Sequence, residues 1–399
     1  MATESIVLRQ IEDRDQRIRW DETSPLHLTI ATRAGELNVR HGVFTGGVSE
    51  GVEIVRLSNS LMAVDVLPTR GMSVWRITRG DARFGWTSPV VGPVHPMHVP
   101  VSEPSGLGWL SGFDELVVRC GLESNGAPVH DDAGTLRHPL HGHVGNTPAD
   151  SLSIEYDEAS GRVELSGEVI ESRLFFKRLR LRCRIRLHAD RDELELLDDV
   201  TNERDQDATM QLLYHINLGR PVLERNSTFQ TVVSEVAPRD ARAASGIDRW
   251  DRMDGPEVGF AEQVYYTQPV ADAAGYAHAL LASPDRTNAM NVSFKTSTLP
   301  FMSLWKNTAG DGDGYVVGIE PATGFPNQRT FEEEKGRLVS LAPGATQSFR
   351  VRLRPMVDPE AVSSVAAEIK SLHEESEPAT VHPGPIGNWC QGAPDDDHG

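Results

Sequence analysis

The sequence predicts an all-β protein, a large antiparallel sandwich or barrel, on three observations. Short apolar runs that alternate with polar residues fill most of the chain and are broken by Gly, Pro, Asp and Asn. Helical periodicity is confined to one late segment. No fixed repeat period recurs, which disfavours a propeller or a solenoid. A Rossmann or TIM architecture would need helices between its strands throughout, and the pattern lacks them.

The runs LHLTIAT (26–32), VEIVRLS (52–58), SLMAVDVLP (60–68) and GYVVGIEP (314–321) each read as a strand. The clearest alternation covers 173–202. There Leu179, Leu181, Cys183, Ile185 and Leu187 face one way, and Arg178, Arg180, Arg182, Arg184 and Arg186 the other. Arg191-Asp192 turns the chain, and Leu194, Leu196 and Val200 begin the return strand of a hairpin. The arginine row reads as a solvated or acid-paired sheet face rather than a ligand patch. The helical segment is 358–376, with Asp358 as N-cap and Pro359 at the first helical position. Val362, Val365, Ala366, Ile369 and Leu372 form its apolar stripe. Beyond it the chain reads as an irregular tail that Trp389 could anchor.

Composition narrows the function. The 39 Lys and Arg stand against 58 Asp and Glu, a net charge of −19, which repels nucleic acid and acidic membrane surfaces. No stretch of about 18 apolar residues is long enough to span a bilayer. The start, MATESIVLRQIEDRDQR, lacks the basic and apolar regions of a signal peptide. Cys120, Cys183 and Cys390 form no short pairing motif, which suits a reducing cytoplasm.

Five segments set titratable groups among Gly and Pro inside apolar strands. In LPTRGMSVWRI (67–77), Arg70 before Gly71 could enter a cleft and hold hydroxyls or a carboxylate, or pair with an acid in a turn. In GWLSGFDELVVRCGLESNGAP (108–128), Trp109 and Phe113 offer flat apolar faces. Asp114, Glu115, Arg119, Glu123 and Asn125 offer hydrogen bonds, the mixture that binds sugars, although core packing also explains the aromatics. HPLHGHVGNTPA (138–149) carries three histidines in six residues, and on a strand His141 and His143 would share a face. In MQLLYHINLGRPVLE (210–224), His215 and Asn217 interrupt an apolar strand, where burial without partners costs a few kcal/mol. In GYVVGIEPATGFPNQR (314–329), Glu320 ends an apolar strand, where desolvation would raise its pKa towards that of a working base; in a surface turn it would be ordinary.

The segments LPTRGM, GWTSP, GFDELVVRCGLES, HPLHGHVGN, LLYHINLGRP, VGIEPAT and LAPGATQSFRVRLRP, in this order, resemble the aldose 1-epimerase (galactose mutarotase) superfamily, in its divergent aldose 1-epimerase-like branch. The resemblance implies a galactose mutarotase-like supersandwich over 25–356, after an N-terminal extension (1–24) and before a C-terminal helix and tail (357–399). It also implies a cofactor-free isomerase acting on a small-molecule sugar; the cysteine usage and polar start make it cytoplasmic, and monomer or homodimer is left open. His141 in LHGH matches the sugar-binding histidine, His215 in YHINL the general acid, and Glu320 in GIEP the base. Arg70, Trp109, Asp114, Arg119, Glu123, His143 and Asn217 complete the expected sugar-binding set. The chain departs from the superfamily in YHINLG, which is two residues short of the usual NHSYFNL spacing, and in His143, which replaces a glycine. For the acid that grips the outer hydroxyls, Asp254, Glu257 and Glu262 are candidates.

Three functions fit these residues. The first is mutarotation by a Glu base and a His acid. The second is a metal-dependent isomerase, epimerase or lyase, with His141, His143, His215 and Glu320 holding Zn²⁺, Mn²⁺ or Fe²⁺. The third is non-catalytic carbohydrate binding, because a fold does not dictate a function.

Overall fold

The computed structural model describes residues 14–392. The first thirteen residues of the expected extension, with the MATES start, and the last seven of the tail lie outside the described residues. The fold is a supersandwich of a 15-stranded and an 8-stranded sheet, with a small ribbon of Val129–His130 and Leu136–His138 beside them.

In the smaller sheet, Arg162–Arg173, Lys177–His188 and Leu194–Asn202 are consecutive antiparallel strands. They are followed by Thr346–Met356. Alternation decides which face is buried. Leu179, Leu181, Cys183, Ile185 and Leu187 are fully or almost fully buried against the larger sheet. The outward arginines meet acids on neighbouring strands: Arg180 with Glu168 at 3.0 Å, Arg184 with Asp199 at 2.7 Å and Arg186 with Glu164 at 2.7 Å. Such cross-strand pairs hold the register of a sheet face open to water.

The centre of the larger sheet positions the site. Its order there is Val117–Leu122, Ala208–Leu218, Val316–Ala322, Phe301–Asn307, Gln263–Pro269 and Val233–Pro238, all antiparallel. Ala208–Leu218 is buried on both faces. Leu212, Tyr214 and Ile216 join the core between the sheets, while Leu213 packs on the other side with Trp109, Phe113 and Ala322. By the two-residue period of a strand, His215 and Asn217 share that second side.

The expected helix forms at Pro359–Glu375. The Asp358 carboxylate accepts from the Glu360 N–H at 3.1 Å, and Val362, Val365 and Ile369 are buried. Both ends of the described chain join the body. Ile18–Trp20 pairs with Gly35–Phe44, and Thr380–Val381 runs parallel to Val233–Pro238. Trp389 packs on Phe325 with ring centroids 5.0 Å apart. No helix among the described residues is long and apolar enough to cross a membrane, and Cys120, Cys183 and Cys390 are all buried free thiols.

Candidate functional site

The register of three neighbouring strands creates the floor of a cleft. Ile216 stands opposite Ile319, so His215 lies across from Glu320 on the same face. Ser303 stands opposite Glu320 and Trp305 opposite Gly318, which brings the indole alongside. The result is a contact of 3.2 Å between His215 Nε2 and Glu320 Oε1, with both side chains buried. A cavity of about 290 Å³ opens over this pair; Trp109, Phe113, His141, Trp305, Glu262 and Arg239 complete its principal lining. That volume is at the small end of ligand pockets and suits a monosaccharide.

Hydrogen bonds assign the protons. Asn217 Nδ2 donates to the Glu115 carbonyl at 2.9 Å and to the His215 carbonyl at 3.2 Å, so its Oδ1 is left to accept from His215 Nδ1–H at 2.6 Å. His215 Nε2 is therefore the atom free to exchange a proton with Glu320. Burial pushes the Glu320 carboxyl up to about 8, with Glu262 adding to the rise and Arg239 opposing it. Burial also pushes His215 well below the usual imidazole range, helped by the nearby His141 and opposed by Asn217. Burial thus favours the neutral form of each group, a protonated carboxyl 3.2 Å from a neutral imidazole.

His141 stands over this floor. Its backbone is left-handed, φ +58°, and its Nδ1 donates to the Asn125 carbonyl at 2.9 Å. Burial pushes its pKa down to about 4, so Nε2 is an unprotonated acceptor. Its ring lies 4.5 Å from Trp109 and 5.4 Å from His215 between centroids. Phe113 and Trp305 pack edge-on against His215 at 5.0 and 5.3 Å. Gly318 has no side chain for a spatial reason: an added Cβ would sit 2.8 Å from Glu320 Oε1 and 3.1 Å from both His215 and Trp305. At the rim, Glu262 accepts from Trp305 Nε1 at 2.7 Å and pairs with Arg239 at 2.9 Å.

Several expected sugar-binding groups do not line this cavity. Arg70 is fully buried, gripping Glu115 and the Gly112 carbonyl at 2.7 Å each and also contacting Asn146; it holds the loop that carries Trp109 and Phe113. Asp114 pairs with Arg14 at 2.7 Å and accepts from Trp75 at 3.0 Å. Arg119 is locked on Asp198 across the inter-sheet core. Glu123 pairs with Lys177 at 2.6 Å. These groups are near the site in sequence, but strand alternation or a loop turns them to another face. Asn217 reaches His215 rather than the open cavity.

His143 is the sharpest correction. His141 and His143 do not alternate as strand residues, because Gly142 continues the left-handed turn at φ +72° and His143 starts the short helix Val144–Asn146. The charged groups around His143 are Glu171, Lys177 and Glu123, so it does not complete a donor set with His141, His215 and Glu320. Among the described residues, no three His, Cys, Asp or Glu side chains converge in a metal-holding arrangement. Of the three candidate outer acids, Glu262 lines the cavity, whereas Asp254 pairs with Arg249 at 3.0 Å. Trp305 and Arg239 are lining residues that the sequence reading missed. The signal for Trp305 is its place opposite Gly318, legible only once the strand register is known.

Residues 49–354 match the family described as a domain of unknown function, DUF4432. The chain is similar to the crystal structure of "a putative aldose 1-epimerase" from Klebsiella pneumoniae, at 33% identity and a TM-score of 0.84, over 88% of this chain and 91% of that one. A galactose mutarotase-like protein from Clostridium acetobutylicum aligns at 12% identity and a TM-score of 0.56, over 81% of this chain and 99% of that one. A galactose mutarotase related enzyme from Lactobacillus acidophilus aligns at 13% identity and a TM-score of 0.50, over 76% and 97%. These two share the fold alone. No curated protein matches the sequence. On its sequence match and its architecture together, the chain belongs to the DUF4432 family and has the galactose mutarotase-like fold.

Proposed function

We propose that this protein is a carbohydrate isomerase of the aldose 1-epimerase type, which opens and recloses a sugar hemiacetal. The observation that carries the reading is the buried 3.2 Å contact between His215 Nε2 and Glu320 Oε1 under an aromatic-walled cavity of monosaccharide size. An aromatic wall suits the C–H face of a pyranose, and the relative from Klebsiella pneumoniae carries the same activity in its name.

The chemistry balances within the pair. When a sugar binds, the proton resting on Glu320 passes to His215 Nε2, leaving a carboxylate beside an imidazolium. The carboxylate removes the proton from the anomeric hydroxyl, Nε2 protonates the ring oxygen, and the C1–O5 bond breaks to give the open-chain aldehyde. Rotation about C1–C2 presents the other carbonyl face. Reversal of the two transfers closes the ring as the opposite anomer and restores the pair. Each positioned transfer contributes roughly 10²–10⁴-fold. Neutral His141 accepts a hydroxyl proton through Nε2, and Asn217 keeps the His215 tautomer fixed. Glu262, held by Trp305 and Arg239, is the acid for the outer hydroxyls.

Polarimetry of freshly dissolved α-anomers across a panel of aldoses tests the reading. Wild type accelerates the approach to equilibrium for at least one sugar, and Glu320→Gln loses roughly 10²–10⁴-fold of that rate. Equal rates for wild type, variant and buffer over the whole panel would refute it.

A further inference from the structure

A second cavity, of about 900 Å³, is lined in part by Trp86, whose ring packs on the aromatic wall of the first. Trp86 belongs to both regions: it lines the larger cavity and packs its ring 4.9 Å from Phe113, which lines the smaller one. Four arginines from three separate places in the chain line the larger cavity, namely Arg14, then Arg79 and Arg83 of one hairpin, and Arg220. Asp81 is the one carboxylate among the described residues of that wall. In a chain with 58 acidic and 39 basic residues, this concentration runs against the overall composition.

The four are not equally occupied. Arg14 is held by Asp114 at 2.7 Å and the Val90 carbonyl at 3.0 Å. Arg79 is held by Asp192 at 2.6 Å and by the Pro355 carbonyl. Arg220 engages only its Nε, towards the exposed Asp311 at 3.2 Å, and leaves both terminal nitrogens open. Arg83 makes no ion pair with another described residue, and its guanidinium lies 5.3 Å from the Trp75 ring centroid. Two planar forks with unspent donors on one cavity wall are suited to bidentate capture of a phosphate or carboxylate.

We propose that this cavity binds a phosphate monoester of a small organic molecule, with Arg83 and Arg220 on the phosphate and Trp86 flanking the organic part. The volume is far more than a bare phosphate fills and accommodates a sugar phosphate or a nucleoside monophosphate. Thr287 and Asn288, on the same lining, add neutral donors for the ester.

Calorimetric titration of the full chain at low ionic strength with inorganic phosphate, glucose 6-phosphate and adenosine 5′-monophosphate tests this. Saturable binding of at least one monoester, tighter than inorganic phosphate, is expected, and the tighter of the two identifies the organic part. The Arg83→Gln/Arg220→Gln variant, both of whose sites are exposed, binds it at least about tenfold more weakly while keeping its circular dichroism spectrum. Glu320→Gln binds it as wild type does, whatever becomes of mutarotation. No saturable heat for either monoester, affinity no better than inorganic phosphate, equal affinity in the double-arginine variant, or loss of binding in Glu320→Gln each overturns the proposal.

Discussion

Tyr214 and His215 are successive residues of one strand, and their side chains enter opposite faces of the sheet. On the inner face the Tyr214 hydroxyl donates to Asp198 at 2.7 Å. The same carboxylate takes Arg119 Nε at 2.5 Å and a terminal nitrogen at 3.0 Å, while the other terminal nitrogen donates to the Met72 carbonyl at 2.8 Å. On the cleft face, His215 meets Glu320 through one atom each. Both groups are buried. In the first, opposite formal charges meet in a fork with nearly every donor used, and Arg119 is held firmly cationic by Asp198 despite burial. In the second, two groups that can each be neutral meet, and burial pushes their pKa values in opposite directions. Burial of a charge therefore does not mark a reactive site. What marks it is a partner that can take the proton and a cavity through which a substrate reaches it.

The largest effect expected on this contrast comes from Asp198→Ala. It leaves Arg119 buried and unpaired, which costs roughly 3–5 kcal/mol in urea-unfolding free energy. The rate of sugar conversion per folded molecule is unchanged, because Asp198 lies on the far face. Should the single variant fail to fold, the Arg119→Leu/Asp198→Leu pair removes both charges and recovers most of the loss. An activity defect per folded molecule in that pair would show that the two faces are coupled.

A smaller effect separates the faces by pH. Glu320 has its pKa raised from 4.5 to about 8, so its contribution to stability is fully present below about pH 4.5 and is lost as pH rises towards 8. His141 has its pKa lowered from 6.5 to about 4, so its contribution is present above about pH 6.5 and is lost as pH falls towards 4. The two slopes oppose each other at acid pH, and above about 6.5 only that of Glu320 remains. Glu320→Gln should therefore melt higher than wild type at pH 8, by on the order of a few °C, with a smaller gap at pH 5. A gap independent of pH in thermal melts would contradict a buried, titrating Glu320.

The finest test is Asn217→Asp. A carboxylate in place of the amide that accepts from His215 Nδ1 favours the imidazolium, raising its pKa by roughly 1–3 units. The acid limb of the pH profile of the proposed mutarotation should move up accordingly, with a severalfold lower rate at neutral pH. Ring ¹⁵N shifts of His215 read the tautomer directly, without a substrate. Unaltered shifts in Asn217→Asp would mean that Asn217 does not hold the ring.

Much of this was legible from residue order. The alternation over 173–202 predicts the hairpin, its buried side and its arginine face, because strand geometry makes a two-residue period local. Asp358 with Pro359 marks the start of the helix for an equally local reason. His215 and Glu320 stand out because a titratable group inside an apolar strand is conspicuous. His143 misled, because three closely spaced histidines suggest a shared face, and the left-handed turn at His141 and Gly142 undoes it. Arg70, Asp114, Arg119 and Glu123 misled for a related reason: their polarity was visible, but the acid or base waiting across the fold was not. Trp305 was missed because nothing around it signals its neighbour.

The sequence alone determined the fold class, the strands and their buried sides, and two of the groups whose burial had to be justified, since each follows from periodicity within about ten residues. Only the tertiary structure decided which buried polar groups face one another, because that depends on the register between distant strands and on how the two sheets pack. Register sends His215 to Glu320 within one sheet, and the packing of the two sheets sends Arg119 to Asp198.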